Sequence, residues 1–128
     1  MFETRFNIKL LTTAILLTAT VLIFTHLPQE TMSSPLQQDG YDTVQHFLAY
    51  GVITFLFLIA IRTSPTIFSA LLLFLVVSAI GALDELTQLF VGRTASVTDL
   101  VADIVGILAA LCFVTVRGRR SLRSTSVK

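Results

Sequence analysis

Long apolar segments, each about as long as a helix that crosses a bilayer, constrain this chain more than any other feature. They cover residues 7–27, 43–61, 66–90 and 96–116. About 20 helical residues span the hydrocarbon core of a membrane. The mean hydropathy is +0.83 and 54% of the residues are hydrophobic, more apolar surface than a small soluble domain can bury. We therefore predict one all-α domain over residues 1–128, an integral membrane bundle of four transmembrane helices embedded in the lipid bilayer.

The two ends of the chain are basic. Arg5 and Lys9 before an apolar run are typical of a cleaved signal peptide. That run reaches Pro28 without a small-residue cleavage pattern, and further apolar segments follow, so a retained helix is favoured. Residues 117–128 are basic and rich in serine, which predicts a disordered tail. The tail suits anionic lipid better than nucleic acid, so we expect no nucleic-acid partner.

The positions of lysine and arginine predict the orientation, because cytoplasmic loops carry an excess of these residues. Four crossings place eight of the nine basic residues on one side. These are Arg5, Lys9, Arg62, Arg117, Arg119, Arg120, Arg123 and Lys128. Arg93 alone falls on the other side. We expect both termini to be cytoplasmic in a multi-pass inner (plasma) membrane protein, with the loops around residues 30–42 and 91–95 on the extracytoplasmic side.

Charged and polar residues interrupt the apolar segments at their expected outer ends. They are Asp42, His46, Asp84, Glu85, Gln88, Arg93, Ser96, Asp99 and Asp103. Spacing of three and four residues places those within each segment on one helix face. Ser96 is expected to cap the last helix, and Asp103 lies about 10 Å deeper in the membrane. Such charges face protein or water rather than lipid, so these residues predict an outward-facing polar pocket.

Other polar residues are given ordinary interpretations. Tyr50 follows His46 on the same helix face and is expected to pack, with its hydroxyl hydrogen-bonded. His26 is expected to be an interfacial residue without a chemical role. Cys112 lies in an apolar run and is expected to pack against core or lipid.

Two motifs resemble those of the VanZ-like membrane family. Residues 42–50, DTVQHFLAY, resemble its D-x-x-x-H-F-x-x-Y block. Residues 83–106, LDELTQLFVGRTASVTDLVADIVG, resemble its E-x-x-Q-x-F…G-R…S-x-x-D-x-x-x-N-x-x-G block. The matching positions are Asp42, His46, Glu85, Gln88, Gly92, Arg93, Ser96, Asp99 and Gly106. The chain departs from the family pattern at Thr43, where a lysine is frequent, and at Asp103, where asparagine is usual.

The resemblance implies a small membrane protein of the cell envelope. The founding member of the family is associated with low-level resistance to the glycopeptide teicoplanin. We therefore expect a role in glycopeptide resistance from the resemblance alone.

Several functions fit the polar pocket. In the first, it binds a polar or anionic envelope molecule, such as a lipid-linked glycan or phosphate, through Arg93. In the second, it is an acid–base or divalent-metal enzyme acting on a lipid-linked envelope substrate, with His46, Glu85 and Asp99 as catalytic candidates. No zinc-type spacing of His and Cys occurs, so no metal site is assigned, and the sequence indicates no particular cofactor. In the third, the charges only fix helix packing. Proton-coupled transport is a lesser fourth.

Overall fold

The computed structural model describes residues 7–27, 40–61 and 66–125, with side chains up to residue 117. In this part of the chain the order is α1 (Ile8–Thr25), α2 (Tyr41–Ala60), α3 (Ile67–Gln88), a 3-10 turn (Leu89–Val91) and α4 (Val97–Thr125). Each of the four α-helices is long and apolar enough to cross a membrane. The prediction of an all-α membrane bundle is therefore confirmed.

The bundle carries its apolar side chains outside and its charges inside. Large apolar residues on every helix are exposed, among them Leu16, Val52, Leu75 and Leu108. The buried polar residues come from α2, α3, α4 and the α3–α4 connection and include His46, Asp84, Glu85, Arg93, Asp99 and Asp103. Exposed apolar side chains and buried charges would be unfavourable in water. In hydrocarbon the same arrangement is favourable, because apolar side chains contact lipid and the charges are kept away from it. The distribution of side chains therefore fits a lipid environment.

Two glycines bring α2 and α4 together, and this pair has the most extensive contact of any two helices. A Cβ atom built on Gly51 would lie 3.3 Å from the carbonyl oxygen of Gly106. A Cβ atom on Gly106 would collide with the carbonyl oxygen of Phe47. Small residues allow such close packing of membrane helices. Beside this contact lies a buried core formed by Tyr50, Ile53, Val77 and Ile107.

One end of the bundle, which we call the polar end, gathers the end of α1, the start of α2, the end of α3 and the start of α4. Thr25, Asp42, Gln88 and Ser96 mark these four positions. At the opposite end, the backbone N–H of Asn7 donates to the carbonyl oxygen of Ala60 over 2.8 Å. The side of the membrane that the polar end faces remains a prediction from the basic residues.

The helix boundaries follow the predicted ones to within a few residues, except at the end of α4. That helix continues to Thr125, beyond the predicted end at residue 116, and disorder of the basic tail stays a prediction. Arginine and leucine are good helix formers, and cations near a helix C-terminus interact favourably with its dipole. The basic segment therefore extends the helix. Predictions were also made for Arg5, the loop at 28–39, the Arg62 turn and residues 126–128. These residues lie outside those that the structure describes.

The Gly51–Gly106 contact predicts that Gly106→Ala destabilises the bundle. The added methyl group collides with the backbone of α2, and overpacking of this kind costs about 1–3 kcal/mol. We expect a lower midpoint of thermal unfolding for the purified protein in detergent. Val105→Ile is the matched control, because it adds one methyl group to an exposed position on the same turn of α4. Equal midpoints for the two variants would contradict close packing at Gly106.

Candidate functional site

The chain changes direction at Gly92 in the connection between α3 and α4. Gly92 has a φ of 75°, a left-handed conformation that glycine adopts without steric cost. The backbone N–H of Arg93 donates to the carbonyl oxygen of Gln88 over 3.1 Å. This bond spans five residues and, with the left-handed glycine before its donor, forms a Schellman cap. The cap ends the helical segment and turns the Arg93 side chain back over the polar end.

Ser96 then starts α4 and fixes it to α3. Its side-chain oxygen accepts from the backbone N–H of Asp99 over 3.3 Å, so the prediction that Ser96 caps this helix is confirmed. Its own backbone N–H donates to Glu85 Oε2 over 2.7 Å. Asp99 in the first turn accepts from Thr43 Oγ1 over 2.6 Å. The start of α4 is thereby bonded to both α3 and α2.

Arg93 forms an ion pair with the first carboxylate of α2. Its Nη2 lies 2.6 Å from Asp42 Oδ2. The Arg93 side chain is 7% exposed and that of Asp42 is 35% exposed, so the pair lies at the rim of the site, with the carboxylate on the outer side. Such a short charged pair holds the guanidinium in place at the rim.

A buried cluster of His46, Glu85 and Asp103, which we call the triad, lies at the centre of the polar end. His46 Nδ1 lies 3.0 Å from Asp103 Oδ1 and His46 Nε2 lies 3.7 Å from Glu85 Oε1. One potential ligand atom from each residue falls within 4.8 Å of the other two. The relative exposures are 3%, 5% and 0% in chain order. An imidazole therefore stands between two carboxylates in a site closed to lipid.

Three polar atoms of the triad lack a hydrogen bond to any residue that the structure describes. They are His46 Nε2, Glu85 Oε1 and Asp103 Oδ2. Buried polar atoms are nearly always hydrogen-bonded, because leaving one without a partner costs about 1–3 kcal/mol. In the neutral tautomer whose Nδ1 proton faces Asp103, Nε2 keeps a lone pair. The triad therefore offers three electron-pair donors for a proton, a cation or a hydrogen-bond donor.

Gly81 makes room for the deepest member of the triad. A Cβ atom built on Gly81 would lie 2.7 Å from Asp103 Oδ2, which is closer than nonbonded atoms normally approach. The glycine thus admits the carboxylate into the space between α3 and α4. Tyr50 lies beneath the imidazole of His46, with its ring parallel to within 8° and the ring centroids 6.2 Å apart.

Asp84 belongs to a separate network that ties α1 to α3. Its Oδ1 accepts from Thr25 Oγ1 over 2.7 Å, and its Oδ2 lies 3.4 Å from the Tyr50 hydroxyl and from Gln88 Nε2. His26 adds a second link, since its Nδ1 lies 3.4 Å from Asp84 Oδ1 and its Nε2 lies 2.7 Å from Thr87 Oγ1. Asp84 is therefore a partnered carboxylate with a packing role.

A cavity of about 330 Å³ lies between α1 and α2, next to the triad. It is lined by Thr20, Val21, Phe24 and Thr25 of α1 and by Gln45, His46, Leu48, Ala49 and Tyr50 of α2. Leu48 and Thr20 are exposed, so the cavity is a groove on the outer surface of the bundle. Most of its lining is apolar, and His46 connects it to the buried carboxylates.

All nine residues that the sequence assigned to the site meet at the polar end, each bonded to another residue there. Whether they bind a ligand stays a prediction. The sequence interpretation missed Thr25 and Thr43, which donate hydrogen bonds to buried acids. It also missed the approach of His26, whose Nδ1 lies 3.4 Å from Asp84 Oδ1. Threonine and histidine at such positions carry little signal, because a threonine hydroxyl in a helix usually bonds the preceding turn of its own backbone.

The comparisons with known proteins give one positive result. The model of the VanZ/LLP1 family matches residues 3–117, which include α1, α2, α3, α4 as far as Arg117, and the nine site residues of the polar end. Comparison with curated proteins and with solved structures gives no significant match.

The Asp84 network predicts that Thr25→Val loosens the contact of α1 with α3. Valine has the shape of threonine but cannot donate to Asp84, and a buried carboxylate loses its shortest bond. A hydrogen bond to a charged group contributes roughly 1.5–3 kcal/mol, so we expect a clear loss of thermal stability in detergent.

Thr13→Val is the matched control on the same helix. Thr13 is exposed and its hydroxyl donates to the carbonyl oxygen of Lys9 within α1, so its removal leaves no buried charge without a partner. If the two variants unfold at the same temperature, Asp84 does not depend on Thr25.

Proposed function

The chain belongs to the VanZ/LLP1 family, and from this premise we propose that it is a cell-envelope membrane protein that binds a polar or anionic molecule carrying an apolar chain. A lipid-linked phosphate or glycan has this chemistry. The predicted orientation puts the polar end, and hence the head group of such a ligand, on the extracytoplasmic side of the inner membrane.

The observation that carries this proposal is the groove between α1 and α2. It offers an apolar lining of the right size for part of a hydrocarbon chain, and pockets for small molecules start at roughly 300 Å³. Its inner wall reaches His46, which belongs to the triad. A ligand with an apolar tail and a polar head would satisfy both surfaces at once.

Arg93 is the residue that we assign to the head group. A guanidinium matches the geometry of phosphate or carboxylate, and the ion pair with Asp42 keeps it over the site. Asp42 is partly exposed, so an anionic oxygen can exchange with its carboxylate at the rim. Asp42 would then hold Arg93 in position until the ligand arrives.

Catalysis at the same site is the second candidate, and the triad favours it. A histidine whose Nδ1 is fixed by an aspartate and whose Nε2 lies near a glutamate resembles the arrangement of acid–base centres. In this candidate the triad acts on the head group, either by proton transfer or by holding a divalent ion. Asp99, the third catalytic candidate from the sequence, accepts from Thr43 at the start of α4 and lies one helical turn from Asp103.

Filling the groove should reduce the amount of lipid that remains bound. Ala49→Phe places a ring in the groove, so we expect the purified protein to retain less envelope lipid than wild type, measured by mass spectrometry of extracts from detergent-purified protein. Val52→Phe is the matched control, since Val52 is exposed on α2 and lies outside the groove lining. Equal lipid content in both variants would exclude the groove as a binding site.

Complementation tests whether the polar end does more than hold helices together. We expect a deletion strain that expresses His46→Ala, Glu85→Gln or Arg93→Ala to show envelope-stress or glycopeptide sensitivity that wild type relieves, with normal membrane levels by immunoblot. These side chains would then act on a ligand. If their membrane levels fall, or if all three complement fully, the charges serve packing alone and the proposed function is wrong.

A further inference from the structure

The carboxylates of the polar end outnumber its cations. Among the described side chains, this end holds Asp42, Asp84, Glu85, Asp99 and Asp103. Arg93 is the arginine or lysine that faces them, since the side chains of Lys9 and Arg117 belong to the opposite end. Arg93 lies against Asp42. Burying carboxylates without compensation is costly, because their desolvation is repaid only by a partner of opposite charge and by further hydrogen bonds.

The uncompensated charge is concentrated in the triad. Asp84 accepts hydrogen bonds from α1, and Asp99 accepts one from Thr43. Glu85 and Asp103 each keep one buried oxygen without a hydrogen bond among the described residues, and His46 keeps one nitrogen. A hydrogen bond from water could satisfy such atoms singly, but it would add no positive charge. A cation satisfies all three donors and offsets the charge as well.

We propose that His46, Glu85 and Asp103 form a binding site for a divalent first-row transition-metal ion of the Mn²⁺ or Zn²⁺ class. The sequence alone assigned no metal, because its His and Cys residues lack zinc-type spacing. The three donors come from three helices, so only the folded bundle brings them together. The inference deepens the proposed function, and it rests on that function only in assigning the ion a place beside the head group.

The distances suit a single ion with small side-chain adjustments. Donors at about 2.1 Å from one ion are at most about 4.2 Å apart. His46 Nε2 and Glu85 Oε1, 3.7 Å apart, already meet this limit. One donor atom from each residue lies within 4.8 Å of the other two, so side-chain rotation is what brings all three onto one ion.

The donor types select the class of ion. One imidazole nitrogen with two carboxylate oxygens suits Mn²⁺ or Zn²⁺, whereas Ca²⁺ and Mg²⁺ prefer more ligands and oxygen alone. Three protein donors leave a coordination position for another oxygen. An oxygen of a phosphate or glycan head group could take that position, with Arg93 one helical turn away at Asp42.

Metal binding can be tested without knowing the ligand. The full-length protein, purified in detergent and treated with chelator, would be titrated with Mn²⁺ by electron paramagnetic resonance and with Co²⁺ by visible absorption. We expect one saturable site in wild type. Glu85→Gln and Asp103→Asn, which keep the shape of each side chain, should each weaken binding at least tenfold.

Asp99→Asn is the matched control for lost charge. It also converts an acid of α4 to an amide, and its amide oxygen can still accept from Thr43. Because it removes a neighbouring charge but none of the three proposed donor atoms, we expect a smaller loss of metal affinity than in either triad variant. Helical content and gel-filtration profile establish folding. If Glu85→Gln does not fold, Asp103→Asn on the other helix still decides the question.

Several outcomes would overturn the metal site. They are no saturable binding by folded wild type, full affinity in both triad variants, or an equal loss in Asp99→Asn. Lipid retention by wild type and Ala49→Phe, measured on the same preparations, separates this result from the proposed function. Loss of lipid in Ala49→Phe, together with no metal binding by wild type, would support the lipid site and exclude the metal site. Metal binding by wild type, together with equal lipid content in wild type and Ala49→Phe, would support the metal site and exclude the groove as a lipid site.

Discussion

A carboxylate inside a membrane bundle must find a partner within the protein, and the polar end is arranged around this requirement. Hydrocarbon offers neither hydrogen bonds nor counterions, so the acids turn inward and their partners determine how the helices meet. Glu85 fixes the start of α4 by accepting from the Ser96 backbone. Asp84 holds the end of α1 through Thr25. Asp42 holds Arg93 at the rim. Each buried charge thus joins two segments that are distant in sequence.

Close backbone packing makes these bonds possible. The contact of Gly51 with Gly106 brings α2 against α4, and that proximity is what allows His46 on α2 to reach Asp103 on α4 over 3.0 Å. Gly81 does the same for α3, since any side chain there would occupy the space of Asp103 Oδ2. Glycine therefore acts here through the room that it leaves for a neighbouring helix or carboxylate.

The sequence predicts much of this arrangement and misses the rest for a physical reason. Apolar length predicts the helices, and spacing of three and four residues predicts that His46 and Tyr50 share a face of α2. Which residues pair across helices depends on the rotation and depth of each helix, which no local pattern specifies. Hence the pairing of Arg93 with Asp42 and of Glu85 with the Ser96 backbone emerges only from the structure. The threonine and histidine partners were missed because neutral polar residues occur often in membrane helices without any charge to bind.

Asp103 brings the packing and the chemistry together. Asp103 is a carboxylate with 0% exposure, and the hydrogen bond to His46 Nδ1 alone does not require a carboxylate. An asparagine oxygen could accept the same bond without adding a buried negative charge. The charge adds a cost, because ion pairs in low dielectric often fail to repay desolvation. It becomes favourable when the site holds positive charge, and Glu85 Oε1 and His46 Nε2 supply the other donors that a cation needs. The buried negative charge at this position thus argues for a cation at the centre of the polar end rather than for packing alone.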